Sequence, residues 1–124
     1  MGVAIVGIGV VCPAGNDVKS FWQGVQNGCS FAERLDLDVP GLPLIGHRVH
    51  GDDWLGPFSH PERRRLDRFT LLGLSAMTQA IDQARVAFDA VPPTGRAVTA
   101  GVGFGGIETL THQHLVLGSL PPSW

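Results

Sequence analysis

Apolar positions change period several times along this chain. Residues 3–9 form a continuous apolar, β-branched run ending in glycine, which predicts a strand buried on both faces of a parallel sheet. Pro13, Gly15 and Asn16 then mark a loop. Val18, Phe21, Trp22 and Val25 follow at i, i+3, i+4, i+7, the spacing of a helix with one buried stripe. Asn16 or Asp17 would cap it, and Gly28 would stop it after about Asn27. Residues 29–60 carry no sustained period and are punctuated by Pro40, Gly41, Pro43, Gly46, Gly51, Gly56 and Pro57. They read as loop with one or two short strands, of which Leu42–Val49 would lie at a sheet edge because prolines exclude a central position.

Helical spacing then returns. Ser59 and Glu62 fit a capping box, Pro61 suits a first turn, and the pattern predicts one helix to about Val86. Leu66, Phe69, Leu72, Gly73, Ala76, Met77, Ala80, Ile81 and Ala84 would form its inner face, the small members allowing close approach to a neighbour. Pro92 and Pro93 end the connection, residues 96–102 read as a second strand, and Gly106–Leu117 as a further helix. Gly118, Pro121 and Pro122 close the chain. Strand, helix, irregular excursion, helix, strand, helix is the order of an α/β layered fold.

Composition narrows the function classes. The 124 residues suit one domain, and 44% hydrophobic against 16% charged is not a disordered composition. A net charge of −2 argues against a generic nucleic-acid binder, although Arg63, Arg64, Arg65 and Arg68 concentrate positive charge locally. Cations opening a helix oppose its macrodipole by roughly a few tenths of a kcal/mol each, which hints at a use for them. Asp67 would pair with a neighbouring Arg and orient the helix start. No apolar run approaches the ~20 residues of a membrane span, and the start lacks the pattern of a secretory leader. Cys12 and Cys29 lack metal-type spacing and predict structural thiols in a reducing, cytoplasmic setting.

Two glycine-rich strand ends invite chemistry. Gly101, Gly103 and Gly106 match G-x-G-x-x-G between a strand and a helix, a pattern that sets a pyrophosphate over helix amides. The N-terminal copy has Cys12 where the third glycine would stand, and no ribose-binding acid follows the second copy at the usual distance. A dinucleotide-binding module therefore remains a distant alternative beside a plain tight turn. His47 with His50, and His112 with His114, are the tightest histidine pairs, but neither lies in a cluster of zinc-like spacing, and no metal site is expected.

Four motifs in order carry a resemblance. They are Gly7-Ile-Gly-Val-Val-Cys-Pro-Ala-Gly15, then Phe21-Trp22 with Gly28, then Arg65-Leu-Asp-Arg-Phe69, then Gly101 to Gly106 as Gly-Val-Gly-Phe-Gly-Gly. Over nearly its whole length the chain resembles the opening of a β-ketoacyl-acyl carrier protein synthase, a condensing enzyme of the thiolase-like superfamily. The resemblance implies a partial thiolase-like layered α/β fold, with residues 1–124 an incomplete N-terminal portion of the domain. It implies the decarboxylative Claisen condensation of acyl and malonyl thioesters, in fatty acid or polyketide synthesis, without metal or redox cofactor. The family's nucleophilic Cys and two His normally follow this point, so no catalytic residue is assigned and the chain alone is expected to be inactive. Cys12 occupies the family's Ser/Thr position.

By the same resemblance, Phe104 between Gly103 and Gly105 would line the acyl pocket and limit chain length; the plainer reading of Phe104 is a core aromatic. Arg64, Arg65 and Arg68 would dock the acidic acyl carrier protein. A homodimer or a complementing subunit is the expected assembly, with neither nucleic acid nor membrane as partner. A non-catalytic, chain-length-factor-like subunit is the alternative.

Overall fold

A computed structural model describes residues 2–35, 44–85 and 88–119. Its regular elements are α1 (Val18–Gln26), β1 (Glu33–Leu35), β2 (Leu44–Gly46), α2 (His60–Arg65), α3 (Arg68–Ala84) and α4 (Ile107–Ser119), with short 3₁₀ turns at Asp53–Leu55, Phe88–Ala90 and Pro93–Gly95. β1 and β2 pair antiparallel, with Arg34 opposite Ile45. They bear out the short strands expected between residues 29 and 60. Leu42, Pro43, Pro40, Val86, Pro121 and Pro122, on which parts of the sequence reading fell, lie outside the described residues.

α1 forms where its pattern placed it. Asp17 is the N-cap and its carboxylate accepts from the Ser20 amide at 2.8 Å, while Gly28 ends the helix at φ +62°. The expected stripe is only partly covered: Val18 and Phe21 are half-buried, but Trp22 and Val25 are exposed. Gly24 is the buried residue, because the Phe31 ring packs where its side chain would be, 2.7 Å from an ideal Cβ.

The predicted single helix over Ser59–Val86 is two. Leu66 and Asp67 are both extended, with ψ of 140° and 150°, so the hydrogen-bond ladder stops and restarts. Leu66 closes α2 on the Glu62 carbonyl, and Leu71 opens α3 on that of Asp67. Aspartate favours such a cap over a helix interior, and the periodicity of the flanking residues concealed it. Ser59 and Glu62 do form the expected capping box, with the Glu62 carboxylate accepting the Ser59 amide at 2.8 Å.

The split also reverses the electrostatics of the basic cluster. Arg63, Arg64 and Arg65 stand in the last turn of α2, where the macrodipole favours cations. The penalty inferred from a helix-opening position is therefore absent for these three and stays with Arg68, the first residue of α3.

α3 packs on two sides. On one, Leu71 and Ser75 are buried against Trp54, and the Ser75 hydroxyl donates to the Trp54 carbonyl at 2.8 Å. The Trp54 indole donates to the Gly51 carbonyl at 2.9 Å. Leu71 and Trp54 are the buried hydrophobic residues among those described. The predicted inner face lies elsewhere on the helix and is less enclosed: Phe69, Met77 and Ile81 remain exposed.

On its other side α3 carries the glycine run. A Cβ on Gly7 would fall on the Ala80 carbonyl, and one on Gly9 on the Ala76 carbonyl. The Ile8 amide donates to Gln83 Oε1 at 2.6 Å and the Val10 amide to Gln79 Oε1 at 3.1 Å. Two residues of extended chain and four of helix both cover about 6 Å, so the run ascends as the helix descends, contact matching contact.

Two strand expectations are corrected. Residues 3–9 and 96–102 are not in any sheet among the described residues. Apolar, β-branched composition favours a pleated surface only when a neighbouring backbone meets the strand. Here no described strand flanks either run, and Val3, Ile5 and Val98 are each more than four-fifths exposed. The described fold is mixed α and β.

Candidate functional site

Asp67 and Gly106, distant in sequence, meet in space. The break between α2 and α3 turns the Asp67 side chain toward the start of α4, where the Thr109 hydroxyl donates to Asp67 Oδ1. An ideal Cβ on Gly106 would stand 2.7 Å from Asp67 Oδ2, so only glycine fits there without a shift. The Phe69 ring lies 3.6 Å from the corresponding points on both Gly105 and Gly106. Gly105 itself has φ +56°, the left-handed region open to glycine. The Arg65–Phe69 motif therefore supports the Gly101–Gly106 motif from below. Asp67 does not pair with a neighbouring arginine, as its sequence position suggested; its hydrogen-bond partner is Thr109.

Between the two motifs opens a cleft of about 730 Å³, lined among others by Arg64, Arg65, Phe69, Gly105, Thr109 and His112. Arg64 and Arg65 are exposed at its rim and make no hydrogen bond or ion pair among the described residues. The other two arginines are committed. Arg63 donates from Nε to the Phe58 carbonyl at 3.0 Å and from Nη2 to that of Leu55 at 2.9 Å. Arg68 donates to the Val49 carbonyl at 2.8 Å and lies over the Trp54 ring, 5.1 Å from its centroid.

Of the three residues expected at an acyl pocket, Gly105 lines this cleft, while Gly103 and Phe104 do not. Phe104 is 87% exposed, so among the described residues it is not a core aromatic. Thr109 was not singled out in the sequence; a polar residue in the first turn of a helix carries no signal of a partner forty-two positions away.

The remaining candidates are quieter. Cys12 sits in a tight Cys-Pro-Ala-Gly turn closed by reciprocal 3.0 Å backbone hydrogen bonds with Gly15. Cys29 is exposed, and both thiols are free. His50 meets Glu33 at 3.0 Å rather than His47. Among the described residues no group of three His, Cys, Asp or Glu side chains gathers as a metal site, and no helix is long and apolar enough to cross a membrane.

Two of the four motifs, Arg65–Phe69 and Gly101–Gly106, thus lie against one another. The family model of the β-ketoacyl synthase N-terminal domain matches residues 1–119. The chain belongs to that family, as an N-terminal portion of its domain. It is 29% identical over 124 residues to a 3-oxoacyl-(acyl-carrier-protein) synthase 2 of Synechocystis sp., covering 98% of this chain and 30% of that protein. It is 31% identical over 117 residues to the synthase 2 of Staphylococcus aureus, covering 90% of this chain and 28% of that protein. The chain thus spans less than a third of the length of these curated relatives.

Proposed function

We propose that these residues form the N-terminal part of a 3-oxoacyl-acyl carrier protein synthase that condenses acyl and malonyl thioesters. The observation that carries this reading is the family match over residues 1–119, which contains the Asp67–Thr109 junction between two of the family's motifs. In the reaction, an acyl group passes from its carrier thioester to a cysteine thiolate and frees the carrier thiol, a malonyl-carrier unit loses CO₂, and the carbanion so formed attacks the acyl-cysteine thioester and expels the cysteine thiolate. The thiolate and the charge-stabilising imidazoles would come from outside these 124 residues, whose own part is scaffold, pocket wall and docking surface. In this reading the thiolase-like layering is completed by the rest of the enzyme. Phe104, flanked by Gly103 and Gly105, then faces the acyl chain instead of solvent. The assembled enzyme is a homodimer or pairs with a complementing subunit.

The carrier is an acidic acyl carrier protein. Arg64 and Arg65 project from α2 without internal partners among the described residues and are the direct contacts; Arg68, anchored on Val49 and Trp54, adds positive field behind them. In the complete enzyme, Arg64→Glu with Arg65→Glu weakens carrier affinity roughly tenfold or more, with a steeper loss at low salt. Unchanged affinity overturns the docking assignment. The 124 residues alone turn over no malonyl thioester; measurable condensation by this chain, free of any other polypeptide, overturns the division of labour.

A further inference from the structure

We propose that Asp67 and Thr109 form a tether that positions the glycine turn carrying Phe104 relative to the basic helix α2, making Asp67 a positioning residue for the acyl-pocket wall. The assignment of that wall rests on the function proposed above; the tether itself does not.

Three contacts converge on the turn from one direction. The Asp67 carboxylate holds the Thr109 hydroxyl through Oδ1 and confronts Gly106 through Oδ2. The Phe69 ring underlies Gly105 and Gly106. Among the described residues, ideal Cβ atoms on Gly101 and Gly103 meet no neighbour within 4 Å, and Phe104 is exposed. The turn is therefore held, among the described residues, from the side of the α2–α3 break. Asp67 is also the residue at which that break occurs, one position from α2's closing Leu66. A displacement of α2, which carries Arg64 and Arg65, reaches Phe104 through one side chain and one hydroxyl.

Removing the hydroxyl tests this without disturbing the start of α3. In Thr109→Val, which keeps the side chain's shape, amide hydrogen exchange in the first hydrogen-bonded turn of α4, residues 110–113 of the 124-residue chain, rises roughly fivefold, the scale of one lost hydrogen bond, while α1 is unchanged. Thr109→Ser restores the original rate. Exchange that stays the same in Thr109→Val, or rises equally in α1, overturns the tether.

In the complete enzyme Thr109→Val broadens the product chain-length range in the same direction as Phe104→Ala, which itself lengthens the accepted acyl chain. An altered range in Phe104→Ala but not in Thr109→Val overturns the positioning role. If Phe104→Ala leaves the range unaltered, the acyl-pocket assignment falls, and the exchange measurement still decides the tether.

Discussion

Gly9 shows how much of this molecule is decided by single atoms. With no side chain, its backbone lies against the Ala76 carbonyl of α3, where a methyl group has no room. Gly9→Ala should cost about 1–3 kcal/mol, the range for overfilling a packed contact, read as a lower urea midpoint. Gly73→Ala is the control. An ideal Cβ at Gly73 meets no neighbour within 4 Å and the residue lies inside α3, so the change should stabilise by about 0.5–1 kcal/mol. The small face of α3 at Ala76 and Ala80 was legible in the sequence as one allowing close approach to a neighbour. Its partner atoms were not, because spacing reveals which face is small but not which carbonyl it meets. Asp67 was misread for the same reason: arginines adjacent in sequence offered a partner, and the real one came from a helix the chain reaches much later.

At the scale of elements, local signals held where they were short-range. The caps of α1 and α2 and the Gly28 stop follow from residues within three or four positions of each other. The interruption at Leu66–Asp67 did not show, since the apolar positions on either side continue in helical register across it. The two caps also predict a pH dependence. The Ser20 amide holds the Asp17 carboxyl below its ordinary 3.8, and the Ser59 hydroxyl followed by its amide holds Glu62 below its ordinary 4.5. A carboxyl depressed in the folded state stabilises above its unfolded value and loses that contribution as pH falls through the folded one. Helicity and melting temperature should therefore be level at neutral pH and fall below about pH 4. Asp17→Asn with Glu62→Gln should flatten that fall; an unchanged acid limb would show that neither cap contributes to it.

For the whole molecule, the apolar residues expected in a sheet are its most exposed. Val3, Ile5 and Val98 face outward among the described residues, and so do Phe104 in the glycine turn and Leu110, Leu115 and Leu117 in α4. The continuous apolar run of residues 3–9 predicted burial, which Val3 and Ile5 cannot have until another backbone covers them. The 124-residue chain should accordingly self-associate, with sedimentation showing larger species as concentration rises. A sharp melt of a monomer, independent of concentration, would contradict this. Charge is distributed with equal asymmetry: the molecule is net acidic, yet its arginines crowd around α2. That short helix is pinned by Arg63 to two carbonyls of the turn just before it. Reshaping residues 55–58 would swing Arg64 and Arg65 to a new bearing while every ionisable group stayed in place, so the direction of the positive field can change without any change of charge.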